Sequence, residues 1–531
     1  MSSERANLGR PRGCSRPAPE QRCRERKRAN AELFVMPVTI AAGLFGDSGS
    51  REMSDYDLLV LGGGSAGLVA ATTAARLGAR VGLIESERLG GDCTWTGCVP
   101  SKALIHAAAV SYAAARSPWI SNAASSYPPV ALYVRSAIAA VAARETPEDL
   151  ATVGVDVVRG AARFHDRHTI TVDGRTLSAP RLIVCTGASP ATPPVPGIEE
   201  IHALTYRTIF ELECLPHRLI VLGGGPIGAE LAQACARLGS EVTVLDQTDR
   251  LVPVADPDAS ALLAQVFSDE GIHLCLGAPV ERVSRRGSQV VVEAGGAQFE
   301  GDAILVATGR QPNIAGLDLE RAGIEVRNAA ISVDRRLATT ADGVYAAGDV
   351  TGGLQFTHYA GWQGYAAARN ALLPGSENGV RDGIPWTVFT DPAVGQVGTT
   401  PGESSSRGRG LHEHRVDLSH VDRAETESAK RGFVKLYVAG KRLAGASIVS
   451  PHAGELINEL SLAIESGARI GDLARAIHVY PTYGSAIQQL AGDASMDRAM
   501  SGVRGRITGW LVHRSVANSN PRPAGTAPGR S

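Results

Sequence analysis

Two stretches of the chain carry the same hydrophobic pattern. From Tyr56, the run Y-D-L-L-V-L is a continuous apolar stretch that predicts a buried strand. G-G-G-S-A-G then opens a helix over Leu68–Leu77, and R-V-G-L-I predicts a second strand ending at Glu85. Further on, Leu222–Asp246 (LGGGPIGAELAQACARLGSEVTVLD) aligns with Leu61–Glu85 (LGGGSAGLVAATTAARLGARVGLIE) without a gap. A second echo follows each copy. Ala179–Ala188 (APRLIVCTGA) and Gly301–Arg310 (GDAILVATGR) are buried strands ending in Thr-Gly, Thr186-Gly187 in the first, each at the far end of its unit. The pattern predicts an α/β protein with two Rossmann-like units.

The rest of the chain is punctuated by Pro and Gly. Ala191–Gly197 (ATPPVPG) is a natural linker between the units. T-A-D-G-V-Y-A-A-G-D-V predicts a strand with Asp349 at its carboxyl end, where ligands bind in open α/β sheets. A helix over Tyr359–Leu372 leads to a joint at Pro374–Pro385. The last part alternates strand-like T-V-F-T, G-F-V-K-L-Y-V and L-A-G-A-S-I-V with a helix over Ala453–Ser466, and closes on I-H-V-Y-P-T-Y-G, Ile477–Gly484.

Both repeats carry chemistry. Gly62, Gly64 and Gly67 fit G-x-G-x-x-G: a tight turn, close backbone approach to a pyrophosphate, and close helix–strand packing. Glu85 lies eighteen residues past Gly67, where a carboxylate accepts hydrogen bonds from ribose hydroxyls. Gly223, Gly225, Gly228 and Asp246 take the same places in the second copy. The alternative is that one copy is a structural relic, but both keep their glycines and acid. The chain therefore reads as holding two dinucleotides.

Between the first unit's strands lies L-G-G-D-C-T-W-T-G-C-V-P-S-K, Leu89–Lys102, with Cys93 and Cys98 five apart. The alanine-rich K-A-L-I-H-A-A-A-V-S-Y-A-A-A-R beyond it predicts a helix, and Pro100 suits its first turn. Cys98 then sits at a helix N-terminus, which favours a thiolate. In a regular helix, residues five apart have Cα atoms roughly 8 to 9 Å apart, too far for a disulfide. A bridge therefore needs distorted backbone, which Gly90, Gly91 and Gly97 permit. Such a bond reads as switchable rather than structural. Two unrelated buried cysteines, or half a metal site, are the other readings; no second Cys pair or Cys/His cluster follows to complete one.

Composition narrows the class. A formal net charge of −1 over 531 residues argues against a general nucleic-acid binder. Sixty glycines against 5% aromatics suit α/β folds with many phosphate-binding turns. Eight cysteines in a chain this long do not make a secreted disulfide framework, so a cytoplasmic protein is expected. The first residues differ: Arg22–Arg28 is basic and Leu33–Phe45 mostly apolar, too short for the ~20 residues of a membrane span. They read as a disordered extension or translation artefact ahead of Met53, and the Pro/Gly/Ser-rich tail from Pro521 reads as disordered.

The signature G-G-x-C-x-x-x-G-C-x-P-S-K, together with the two glycine fingers, resembles the two-cysteine flavin disulfide reductases over about Asp55–Asp493. That family includes dihydrolipoamide dehydrogenase, glutathione reductase and mercuric reductase. The resemblance implies a homodimer using FAD and NAD(P)H on a small-molecule substrate, with no nucleic-acid or membrane partner. It implies an FAD domain in two parts (54–200 and 310–380), an inserted NAD(P) domain (201–309) and a dimerisation domain (386–500), between a leader (1–53) and a tail (501–531). By similarity, Gly62, Gly64, Gly67, Glu85, Lys102, Thr186, Gly187 and Asp349 would hold FAD, and Gly223, Gly225, Gly228, Asp246 and Gly309 the nicotinamide nucleotide. Cys98 would be the thiol against the flavin, Cys93 the thiol that meets substrate, and Lys102–Glu230 the ion pair at the flavin's reactive edge. No metal ligands are implied.

Three departures matter. Relatives acting on dithiols end in H-x-H-P-T-x-x-E, contributed across the dimer, whereas here Tyr480 stands for the second His and Ser485 for the Glu. A tyrosine, with pKa near 10, is a poor base at pH 7. His478 would have to serve instead, as in a dihydrolipoamide-dehydrogenase-like enzyme, or be structural in the dimer contact. Mercuric reductases carry tyrosine near the redox pair, but also a C-terminal cysteine pair, and no cysteine follows Cys275 here. Finally, Asp92 stands where relatives have Thr; a carboxylate pointing at Cys93 would raise the thiol's pKa. The expected function is an FAD-dependent reductase of a small disulfide, quinone or soft metal ion, favouring NADH; a flavin-binding redox sensor is the remote alternative.

Overall fold

The computed structural model describes residues 54–117, 119–120, 126–401, 410–500 and 502–519. The expected leader and the tail from Pro521 lie outside the described residues.

Each predicted unit forms a five-stranded parallel sheet. The first runs Val344–Ala346, Leu182–Val184, Leu58–Leu61, Val81–Glu85, Val155–Arg159. Its central strand is 0–1% exposed throughout, as an apolar run covered on both faces must be. Burial of each such leucine contributes about 1.5–3 kcal/mol. The second runs His273–Leu276, Glu241–Asp246, Arg218–Leu222, Ala303–Val306, Leu204–Thr205. In space the two strands that lead to Thr-Gly are not outermost: each pairs directly with the first strand of its own unit.

The glycine-motif helices are Ser65–Arg76 and Pro226–Arg237. The first begins three residues before the expected Leu68, because the turn at Gly64 starts it; the apolar period on which the expectation rests begins only later. The chain crosses between the units twice, and the crossings pair with each other: Ala188–Pro190 runs antiparallel to Arg310–Pro312. Two three-stranded antiparallel additions lie outside the predicted pattern, Ala162–Phe164/Thr169–Val172/Arg175–Ser178 and Val280–Arg286/Gln289–Ala294/Ala297–Gly301.

The C-terminal part is a five-stranded antiparallel sheet, in the order Trp386–Val388, Ala393–Gly398, Arg442–Ser450, Phe433–Ala439, His412–Asp417. The helix Ala453–Glu465 packs on it through Ile457 and Leu460. Two helices extend beyond the predicted elements, Gly484–Met500 and Gly502–Ser519, so the segment expected as tail from residue 501 begins with a helix. No described helix is long and apolar enough to cross a membrane.

Candidate active site

The two fingerprint loops have the geometry of pyrophosphate cradles. Gly62 sits at φ +104°, and a Cβ there would meet the Cys185 carbonyl oxygen at 2.4 Å. A Cβ on Gly67 would meet Gly62 O at 1.8 Å, and one on Gly228 would meet Gly223 O at 1.9 Å, so the third glycine of each motif serves helix packing. The middle glycines face open space: a Cβ on Gly225 would have nothing within 4 Å, and one on Gly64 only Gly91 Cα at 3.9 Å. Each acid is already oriented by its own loop. Glu85 accepts from Gly63 N and Glu87 N, both at 2.6 Å. Asp246 accepts from Gly224 N at 2.5 Å, Thr248 N at 2.7 Å and Thr248 Oγ1 at 2.8 Å. Both loops open into one cleft of about 2500 Å³, which Thr186, Gly187, Gly309 and Asp349 also line. Open glycines, oriented acids and a cleft this large fit two dinucleotides. Thr186 lines the cleft, but its hydroxyl donates to Asn313 O at 2.7 Å.

The cysteine stretch shows the distortion that its spacing requires. Cys93 lies on a five-residue helix, Gly91–Trp95, and Cys98 begins a separate one, Cys98–Arg116. The first starts from Gly90 at φ +92°, where a Cβ would collide with Glu145 Oε2 at 2.1 Å. The break at Thr96–Gly97 separates the two helices and leaves both cysteines as free thiols, close enough to act on each other's protonation. Cys98 Sγ also lies 3.1 Å from Thr357 Oγ1, at the start of the helix Thr357–Leu372. The hydrogen bond from Cys93 pulls Cys98 down to about 6 against its burial, and Thr357 and Lys102 help. The same contact, together with burial, pushes Cys93 up. One sulfur is thus the thiolate and the other carries the proton.

Lys102, one turn into the second helix, donates to Glu230 Oε2 at 2.7 Å. Glu230 is 7% exposed, and its other oxygen accepts Phe389 N at 2.8 Å. The Lys102 ammonium lies over the Phe389 ring, 4.5 Å from its centroid. The expected pair is therefore formed, and the first strand of the C-terminal sheet leads straight into the residue that completes it. Thr357 and Phe389 do not stand out in the sequence; only the turn-like Q-F-T-H before a helix marks the first.

Asp92 does not face the thiols. Its Oδ1 accepts Arg207 Nη2 at 2.8 Å, and its Oδ2 accepts Tyr206 OH at 2.8 Å and Arg310 Nη2 at 2.9 Å. These partners draw the carboxylate to the far side of the turn, so the expectation that it would raise the Cys93 thiol is replaced by the Cys98 contact and burial. Asp349 lies beyond the strand Val344–Ala346 and pairs with Arg310; burial raises its pKa, against the arginine.

His478 and Tyr480 are not among the residues lining the cleft. Both His478 ring nitrogens face acceptors, Glu459 Oε1 at 2.8 Å and Ala476 O at 3.1 Å. Tyr480 OH donates to Asp422 Oδ2 at 2.5 Å, which raises its pKa above the ordinary phenol value. Ser485 Oγ turns back to Thr482 O at 2.6 Å and orients neither residue. Among the described residues no cluster of three or more His, Cys, Asp or Glu could hold a metal ion.

Two nucleotide cradles on either side of a polarised thiol pair define an NAD(P)H-dependent flavoprotein disulfide oxidoreductase. Residues 56–364 match the pyridine nucleotide-disulphide oxidoreductase family and residues 384–491 its dimerisation domain, and the chain belongs to that family. It is 34% identical to a mercuric reductase of Bacillus cereus over 439 residues, covering 81% of this chain and 70% of that protein. It is 35% identical to a dihydrolipoyl dehydrogenase of Thermus scotoductus over 456 residues, covering 83% and 97%. The solved Cu(II) complex of the HOCl-induced flavoprotein disulfide reductase RclA from Escherichia coli superposes with a TM-score of 0.75. That match is at 32% identity and covers 83% of this chain and 99% of that one. Members of the family use FAD and NAD(P)H.

Proposed function

We propose that the chain is a cytoplasmic homodimeric reductase that carries electrons from NADH, through FAD and the Cys93–Cys98 pair, to a small acceptor whose reduction needs no acid or base from the C-terminal segment. Gly62, Gly64, Glu85, Lys102, Gly187 and Asp349 would hold FAD in the two-part domain 54–200 and 310–380. Gly223, Gly225, Asp246 and Gly309 would hold the nucleotide in 201–309, and 386–500 would form the dimer contact. Bound flavin supplies two-electron transfer between nicotinamide and disulfide. Lys102 and Glu230 fix the charge at its reactive edge, Cys98 is kept as thiolate, and Cys93 presents the other sulfur to the acceptor.

One observation carries the choice of acceptor: neither C-terminal candidate is arranged as a base. Tyr480 keeps its proton more firmly than a free phenol, and both His478 nitrogens are committed to acceptors. Disulfide reduction needs a proton delivered to the leaving thiolate at the thiol pair, and dithiol oxidation needs one taken away; reduction of a soft metal ion moves no proton, and a quinone can take its two protons from solvent. Two of the relatives' names fit this reading, mercuric reductase and a reductase solved as a Cu(II) complex, whereas dihydrolipoyl dehydrogenase names the alternative. A steady-state screen of NADH oxidation against Hg(II), Cu(II), quinones, lipoamide and oxidised glutathione tests it. Turnover of lipoamide or glutathione above that of every metal ion and quinone would overturn it.

A further inference from the structure

Asp92 immediately precedes Cys93, and three side chains hold its carboxylate from outside the redox turn. Tyr206 and Arg207 directly follow Leu204–Thr205, the edge strand of the second parallel sheet; Arg310 lies on the second crossing between the sheets. Arg310 in turn donates to Ala188 O at 3.0 Å and from Nε to Tyr206 OH at 3.1 Å, and it pairs with Asp349. Arg207 also approaches Glu87 at 3.7 Å. The arrangement is well shielded: Asp92, Arg310 and Asp349 side chains are 20%, 17% and 13% exposed. Other ties of the turn are Thr94 Oγ1 to Glu145 and Trp95 Nε1 to Leu89 O, each at 2.7 Å, Gly90 N to Gly63 O at 2.9 Å, Arg88 over the Trp95 ring, and, within the turn, Thr96 Oγ1 to Asp92 Oδ1 at 3.3 Å.

We propose that Asp92 is a positioning residue that pins the redox turn to the edge of the second parallel sheet and to the second crossing, and so keeps Cys93 within bonding reach of Cys98. The proposal rests on the reading of these cysteines as a redox pair. Oxidation of the thiolate–thiol pair removes two electrons and one proton to form one S–S bond; in the reverse step a dithiol such as dithiothreitol supplies both electrons, becomes its own cyclic disulfide and loses two protons, one to Cys93 and one to solvent. The position of that equilibrium measures how closely the turn holds the two sulfurs together. A pinned turn favours the disulfide; a released one favours the dithiol.

The test is titration of the full-length holoprotein with reduced and oxidised dithiothreitol, with Cys93 and Cys98 scored by alkylation and mass spectrometry. The variants are Asp92→Asn, Asp92→Thr, Arg207→Gln and Tyr206→Phe. Asp92→Asn and Arg207→Gln are each expected to move the equilibrium toward dithiol by tenfold or more, about 30 mV. The double variant is expected to move it no further than the larger single change. The signs separate positioning from simple electrostatics. Asp92→Asn removes a negative charge and Arg207→Gln a positive one, so a charge effect on the thiolate would shift them in opposite directions. Opposite shifts, or wild-type equilibria in both, overturn the proposal. Should Asp92→Asn fail to fold, Arg207→Gln and Tyr206→Phe lie outside the redox turn and decide the matter alone. A wild-type protein with no titratable Cys93–Cys98 bond would instead overturn the functional reading, and it is seen before any variant is compared.

Discussion

The ammonium of Lys102 rests on the face of Phe389, 4.5 Å from the ring centroid, so a residue of the C-terminal part caps the charge beside the thiol pair. Glu230 completes the arrangement from the second glycine-motif helix, 2.7 Å from Lys102 and 2.8 Å from the Phe389 N–H. Three separate stretches of chain thus converge on one charge. Glu230→Gln leaves Lys102 without its counter-ion at a site where Glu230 is 7% exposed. The expected outcome in stopped-flow is flavin reduction by NADH slowed about tenfold or more, roughly 1.4 kcal/mol in the barrier. A rate within twofold of wild type would remove this pair from the electron path.

The thiol pair predicts a spectrum. With Cys98 held near 6, below an ordinary thiol, its thiolate is present above that pH and is lost as pH falls through it. Two-electron-reduced protein should therefore show a long-wavelength absorbance band at neutral pH that fades on acidification through about 6. Cys98→Ser should lack the band. Cys93→Ser should show it without reduction; in Cys93→Ala, which has no donor, the midpoint should rise, because the hydrogen bond from Cys93 is the largest influence lowering Cys98. A midpoint unchanged in Cys93→Ala would contradict that assignment.

How far the sequence carries the fold depends on what each pattern encodes. The repeated strand–glycine–helix–strand unit is legible because its apolar strands, three glycines and acid all constrain local backbone, and Gly62, Gly67, Glu85 and Asp246 stand where that logic puts them. The cysteine spacing likewise demands a broken helix, found at Thr96–Gly97. The antiparallel additions escape the apolar pattern, although R-R-G-S-Q and E-A-G-G-A are turn signals between alternating runs. Long-range partners are different in kind. Nothing local ties Asp92 to Arg207 or Arg310, more than a hundred positions away, or Lys102 to Phe389; such contacts exist only once the crossings and the C-terminal sheet are in place. A single sequence flags Asp92 as odd without showing which way it points.

A second ion pair predicts stability rather than chemistry. Arg237 and Glu270 are 2.6 Å apart with side chains 5% and 6% exposed, and Arg237 also reaches Asp391 at 2.7 Å. Arg237→Ala strands the buried Glu270 charge and should destabilise the protein by about 3–5 kcal/mol. Replacing both partners, Arg237→Met with Glu270→Met, removes the stranded charge and should regain more than half of the loss. Thermal melts of the FAD-loaded protein check both. A double variant no more stable than Arg237→Ala would mean that the arginine's other contacts, including its guanidinium carbon 4.1 Å from the Tyr112 ring centroid, matter more than its pairing with Glu270.

Nucleotide choice turns on Asp246. Its two oxygens are fixed by Gly224 N, Thr248 N and Thr248 Oγ1, so the carboxylate cannot turn aside when a nucleotide enters. At the end of its strand it would accept from the ribose hydroxyls of NADH, whereas the 2′-phosphate of NADPH would meet a like charge. The nearest cation that could compensate is Arg250, and its Nη2 donates to Pro253 O at 3.1 Å. Gln247, Thr248 and Asp249, between the two, add a second acid and no cation. NADH should therefore have the higher kcat/KM, and Asp246→Ala should shift the preference toward NADPH, with Asp246→Arg shifting it further. Asp246→Ala also frees the Gly224 and Thr248 donors, so part of its effect will appear as weaker binding of both nucleotides; the ratio of the two kcat/KM values isolates the phosphate. Wild-type preference for NADPH by tenfold or more would put about 1.4 kcal/mol on the opposite side and show that Arg250 leaves Pro253 for the phosphate.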